Sequence, residues 1–132
     1  VDYKTSTYSA DKIKKPSPMA MSREEIVTIT DESKREYQLR KLNGSDQWRQ
    51  LVFYKMMAEI AEDFPYPFQK ASISYVNSDD KPDGYMVDYS VTPEDEQLVL
   101  EQLNYVVEKV RQQDFSLGCG LSKCTWCSML SQ

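Results

Sequence analysis

Apolar positions along this 132-residue chain repeat first with period two and later at helical spacing. Val1 to Tyr8 is rich in β-branched and aromatic residues and predicts a strand, with Asp2 and Lys4 on one face and Val1 and Tyr3 on the other. Residues 9–22 carry two prolines and no period, which predicts a loop. Between 23 and 42 the pattern is mixed: Ile26 to Thr30 reads as a short strand and Glu32 to Leu42 as a polar helix. Asn43-Gly44-Ser45-Asp46 is a break followed by a helix cap. From Gln47 to about Glu62 the spacing of Trp48, Leu51, Val52, Met56 and Ile60 predicts a helix with an apolar face, stopped by Phe64-Pro65-Tyr66-Pro67.

Further on, Ala71 to Asn77 and Tyr85 to Val91 read as strands, and the polar stretch 78–84 between them predicts a hairpin. Thr92 caps a last helix, with Pro93 at its first position and acids in its first turn. Leu100, Leu103, Val106, Val107 and Val110 give that helix an apolar face up to about Gln113. Strand, helix, strand is a right-handed βαβ unit if the strands at 1–8 and 71–77 are parallel. The whole is an α/β pattern on one domain's worth of chain, with 9–45 as an insertion and 114–132 as an irregular, cysteine-bearing tail.

Composition narrows the chemistry. No apolar run approaches the roughly 18–20 residues of a membrane span, and no basic segment precedes an apolar one as in a secretory signal. The net charge of −5 excludes a basic field over the whole domain. The charge is uneven: residues 1–60 hold 11 Lys/Arg against 9 Asp/Glu, and residues 61–132 hold 5 against 12, so a polyanion would bind the first half. The absence of histidine removes Ser-His and Cys-His catalysis and His-ligated zinc. Three clustered cysteines, an odd number, argue against a disulfide framework and for a reducing cytoplasm. The chain opens with Val directly on a strand-like run, which reads as a piece of a longer protein.

Three constellations carry chemistry. Asp2-x-Lys4 puts an oxygen ligand and an ammonium on one face of a strand, suited to a divalent cation and a phosphate, or simply to solvent. Gln50-x-x-x-Tyr54 places an amide and a phenol on one helix face, with Arg49 and Lys55 beside them; the pair suits a phosphodiester backbone or a base, or the edge of a core. Cys119-x4-Cys124-x2-Cys127 suggests zinc or an iron–sulfur cluster, yet three thiolates leave a tetrahedral site one ligand short; the same thiols also suit packing against Trp126 and Met129.

In this order, Val-Asp-Tyr-Lys-Thr, Trp-Arg-Gln-Leu-Val-Phe-Tyr-Lys, a hairpin, a long helix and a terminal cysteine cluster, the chain resembles the RecB-type nucleases of the PD-(D/E)XK superfamily. It is most similar to the nuclease-like domain at the C-terminus of UvrD/Rep-type superfamily 1 DNA helicases. The resemblance implies the C-terminal portion of a restriction-endonuclease-like core, a mixed sheet flanked by helices. It implies Asp2 as the catalytic carboxylate that ligates the metal, Lys4 as catalytic lysine, and Gln50, Tyr54 and Arg49 as DNA contacts. It implies Mg²⁺ or Mn²⁺ in the intact parent, DNA as partner, and a helicase motor in the same parent chain. Some members hold an iron–sulfur cluster, for which Cys119, Cys124 and Cys127 are the matching residues here. Their spacing departs from the family's usual Cys-x2-Cys-x5-Cys, and no upstream cysteine is present.

The family's metal-anchoring aspartate would precede Val1. The expectation is therefore ATP-dependent helicase/exonuclease activity in DNA repair or recombination for the parent, and an inactive isolated piece. A rival expectation is a decayed DNA-guiding or protein-docking module, to which the acidic second half would lend a protein-facing surface. A third is a small structural metal domain built on the cysteine tail.

Overall fold

The computed structural model describes residues 1–64, 67–68, 70–76, 85–116, 118–119, 121–125 and 129. Among the described residues, three strands and four α-helices follow in the order β1 (Asp2–Lys4), α1 (Arg23–Val27), α2 (Glu32–Asn43), α3 (Asp46–Ile60), β2 (Ala71–Tyr75), β3 (Tyr85–Tyr89) and α4 (Pro93–Arg111), with a 3-10 turn at Ala10–Ile13. The chain divides into two compact units, one of Val1–Lys14 and Ser45–Val99, the other of Lys15–Gly44 and Leu100–Gln132.

The first unit is a mixed three-stranded sheet in the order β1-β2-β3. β1 runs parallel to β2, with Asp2 opposite Ile73 and Lys4 opposite Tyr75. β3 runs antiparallel to β2, with Val87 opposite Ile73 and Tyr85 opposite Tyr75. Opposed residues share a face, so Asp2, Lys4, Ile73, Tyr75, Tyr85 and Val87 all lie on one side. That side carries the core. Leu51 of α3 packs with Ala71, Ile73 and Tyr75, and Trp48 and Val52 pack with Val99. The other side shows Tyr3 and Met86 to solvent and carries a Ser72–Asp88 hydrogen bond of 2.6 Å.

Ser45 caps α3 by accepting from Trp48 N, and the Ser45 N–H donates to Lys14 O at 2.8 Å. The two ends of the Lys15–Gly44 segment are thereby held together. Gly44 takes φ 70°, a left-handed backbone that glycine adopts without a Cβ penalty, and its N–H closes α2 onto Arg40 O.

The second unit contains α1, α2 and α4 from Leu100 onward. The expected strand at Ile26–Thr30 is not formed. Ser22 accepts from Glu25 N while Glu25 accepts from Ser22 N, a capping box that starts the helical turn Arg23–Val27, and Ile26 is fully buried within it. Gln102 and Arg23 both hydrogen-bond Asn43, and the Arg23 guanidinium lies 5.3 Å from the Tyr105 ring centroid.

Other expectations shift. The first strand ends at Lys4, not Tyr8, because its last ladder bond is Val76 N to Lys4 O. Tyr8 instead folds back, its ring 5.4 Å from that of Tyr75 and 4.4 Å from that of Tyr85. The apolar face of α3 is buried only in its first two turns, and Ile60 is exposed. On α4, Leu100, Leu103, Val106, Val107 and Val110 are exposed rather than core. The turn expected at 78–84 lies outside the described residues. Among the described residues no helix is long and apolar enough to cross a membrane.

One buried carboxylate organises the start of α4. Asp95 Oδ1 accepts from Trp48 Nε1 at 3.2 Å and Tyr89 OH at 3.1 Å; Oδ2 accepts from the Thr92 N–H and hydroxyl, each at 2.9 Å. Burial pushes the Asp95 carboxyl up, but the bonds from Thr92, Trp48 and Tyr89 outweigh it and hold it below the usual aspartate range. Burial and the neighbouring Asp95 charge push the Tyr89 phenol up to about 12. A carboxyl with a depressed folded value adds stability that is full above its unfolded value, near pH 4, and is lost as pH falls through the folded value. Asp95→Ala, which strands the Trp48 and Tyr89 donors, is expected to cost about 3 kcal/mol in urea unfolding at pH 7. The deficit should shrink as pH is lowered below 4. A deficit that stays constant with pH would mean Asp95 is not ionised in the fold.

Candidate functional site

The register of β1 against β2 fixes which side Asp2 and Lys4 occupy. Both project to the side covered by α3. Lys4 Nζ lies 2.9 Å from Asp2 Oδ2 and donates to Gln50 Oε1 at 2.7 Å. Gln50 Nε2 in turn donates to Tyr54 OH at 2.6 Å. Asp2, Lys4, Gln50 and Tyr54 therefore form one polar chain from the strand edge to the helix surface.

Each member owes its place to local structure. Positions 50 and 54 are one helical turn apart, and the side chains of residues four apart are neighbours on the α3 surface. Trp48, Leu51 and Val52, buried on α3, hold that helix against the core. Tyr54 is 44% exposed, so the chain begins in the protein and ends at solvent. The Tyr54 oxygen accepts from Gln50, which leaves its O–H proton for a further acceptor.

Asp2 is the unusual member. Its Oδ2 is buried and, beyond the ion pair with Lys4, accepts no hydrogen bond of ordinary geometry. A buried carboxylate oxygen left short in this way is costly unless something donates to it or binds it. That suits a water or a hard cation.

Two residues that the sequence pattern did not single out belong to the same place. Tyr75, fully buried opposite Lys4, donates its hydroxyl to Gln47 Oε1. Burial, then the neighbouring Tyr8 and Asp2, push the Tyr75 phenol up, so it stays a donor at neutral pH. Gln47 lies at i, i+3 and i+7 with Gln50 and Tyr54, the same stripe of α3. The spacing of Gln47 was visible in the sequence; its partner on a strand was not.

The neighbouring cations have acidic partners of their own. Arg49 pairs with Asp46 one turn back on α3. Lys55 pairs with Glu59 at 2.5 Å and with Glu96, and those two hydrogen bonds push its ammonium up. Lys4 is thus the cation that the structure places against Gln50.

Among the described residues one carboxylate, that of Asp2, stands at this place, and no three His, Cys, Asp or Glu side chains converge. A magnesium-sized ion usually keeps one or two carboxylates with substrate oxygens and water. Asp2 suits one such position, but the residues present do not by themselves make a resident site. In the tail, Cys119 and Cys124 are half-buried, and Cys127 lies outside the described residues. The two described thiols do not make a closed tetrahedral site. The tail also reaches α2, where Ser122 N and Oγ each donate to Glu32 at 3.0 Å.

No protein-family model matches the chain, and no curated protein or solved structure is found to be similar to it.

The Asp2–Lys4 pair can be measured directly. A double-mutant cycle with Asp2→Asn and Lys4→Met, read by urea unfolding, is expected to give a coupling energy of about 1 kcal/mol, the upper end for a partly exposed pair. Additive effects would mean that the two charges do not meet in solution.

Proposed function

We propose that the first unit handles the phosphodiester backbone of DNA and is the nuclease-like part of a larger ATP-dependent DNA helicase/exonuclease. What supports the reading is one observation: Lys4 lies between a carboxylate with one buried, under-bonded oxygen and an amide–phenol pair that ends at the surface. An ammonium has three donors. Two face Asp2 and Gln50, and the third is left for an anionic oxygen.

In this reading Tyr54 and Gln50 hold the strand, and Lys4 balances charge that builds on the phosphate as its bond breaks. Asp2 keeps Lys4 in place and offers one oxygen to a magnesium or manganese ion. Hydrolysis needs at least one more oxygen donor from another segment of a parent chain, together with the motor that would feed DNA inward. The restriction-endonuclease-like core belongs to this same proposal; the mixed three-stranded sheet, with α3 packed on one face, is compatible with it.

The single carboxylate found there among the described residues favours a second reading of the piece by itself, as a DNA-guiding module. The two readings share the backbone contact and differ in cleavage.

The 132-residue chain is expected to bind a labelled single-stranded oligonucleotide with an affinity that falls as salt rises, and to leave it uncut in Mg²⁺ or Mn²⁺. Tyr54→Ala should weaken that binding by about 1–3 kcal/mol if the ring stacks on a base. In a parent that cleaves DNA, Lys4→Ala should abolish cleavage with binding nearly unchanged. Absence of DNA binding contradicts the proposal. Cleavage by the isolated chain contradicts the need for a second oxygen donor, and binding without cleavage in the parent leaves the guiding module.

A further inference from the structure

The hydrogen bonds that reach α3 from the sheet set the orientation of two amides, not one. Lys4 on β1 donates to Gln50 Oε1, and Tyr75 on β2 donates to Gln47 Oε1. The two strand residues stand opposite each other in the parallel ladder, and the two glutamines are three apart on the helix. Both carbonyl oxygens are therefore anchored by donors from the sheet. An amide whose oxygen is so engaged presents its NH₂ group elsewhere. Gln50 gives one of its N–H groups to Tyr54, and the second remains. Gln47 Nε2 has no hydrogen-bond partner among the described residues, and Gln47 is only half-buried.

Swapped orientations are disfavoured at both positions. Turning Gln50 would set an NH₂ against the Lys4 ammonium, donor against donor. Turning Gln47 would set an NH₂ against the Tyr75 hydroxyl, which would then have to accept, leaving its own proton without an acceptor in a fully buried place. Beside the stripe, Asp2 and Lys4 pair with each other, and Arg49 pairs with Asp46.

We infer that Gln47 and Gln50 form one phosphate subsite, two neutral amide donors that bind the non-bridging oxygens of a single phosphodiester, with Tyr75 as the positioning residue for Gln47. The inference rests on the reading of this edge of α3 as a DNA-backbone surface, and it adds a contact and an orienting group to it. Neutral donors on a rigid helix add geometric selection for the tetrahedral oxygens without adding net charge. They also bind independently of base identity.

The test uses the whole 132-residue chain and a fluorescein-labelled single-stranded oligonucleotide at fixed low salt. Gln47→Met removes the donor and keeps the shape; it is expected to weaken binding about fivefold to tenfold, as for one hydrogen bond to a charged oxygen. Gln47→Glu, which turns the donor into a like charge, should weaken it further. Tyr75→Phe should weaken binding about threefold in the native background and add nothing to Gln47→Met, a non-additivity that a merely structural role for Tyr75 would not produce. On a strand with neutral methylphosphonate linkages, the difference between native chain and Gln47→Met should vanish. Should Tyr75→Phe fail to fold, the two Gln47 variants and the methylphosphonate strand still decide. If Lys4→Met and Tyr54→Ala weaken binding while both Gln47 variants bind as the native chain does, the subsite is overturned and the wider DNA reading survives. If the native chain binds no DNA, both fall.

Discussion

Parallel pairing of Asp2–Lys4 with Ile73–Tyr75 is the constraint from which the arrangement follows. In a strand, a slip of one residue would turn every side chain to the opposite face. Here that slip would carry Asp2 and Lys4 to the solvent face and put Tyr3 under α3. The register is held because β2 is buried along nearly its whole length, with Ile73 and Tyr75 fully enclosed. β1 contributes only three residues, so its position depends on that neighbour. Tyr8 reinforces the same end by laying its ring against Tyr75 and Tyr85.

Two carboxylates in the first unit show opposite solutions to burial. Asp95 takes four hydrogen bonds, two on each oxygen, from a cap, an indole and a phenol. Nothing more is asked of it, and its task is to tie the start of α4 to α3. Asp2 has an ammonium beside one buried oxygen and no well-formed hydrogen bond there. Under-satisfied buried groups are rare in stable folds and concentrate where a ligand completes them. The contrast lies within one unit, so general looseness of packing does not account for it. It is the physical reason for placing the function at Asp2 rather than at the better-bonded Asp95.

Much of the first unit could be read along the chain because its signals are local. Period two at Val1–Lys4 put Asp2 and Lys4 on one face, and Ser45 and Thr92 announced the starts of α3 and α4. Of the strands expected at Ala71 to Asn77 and Tyr85 to Val91, the structure forms Ala71–Tyr75 and Tyr85–Tyr89. The second unit was less legible. Ile26 to Thr30 has the composition of a strand, yet Ser22-x-x-Glu25 closes a capping box around its start and a buried Ile26 completes the turn. The far halves of α3 and α4 carry apolar spacing that the described residues do not cover, since spacing reports a face and not its partner. Gln47 and Tyr75 were missed for a related reason: their relation is made by 28 residues of separation and a sheet, and no local pattern encodes it. Asp95 read as an acid complementing a helix dipole, whereas its carboxylate is buried against Trp48.

The most direct test of the central claim observes the donors themselves. Side-chain NMR signals of the Lys4 ammonium and of the Gln47 and Gln50 NH₂ groups can be followed while a short oligothymidine strand is added to the ¹⁵N-labelled chain. All three are expected to move together and saturate at one strand concentration, with Tyr54 ring signals moving in step. Saturable binding that shifts signals elsewhere in the chain, while Lys4, Gln47 and Gln50 stay where they are, would contradict it.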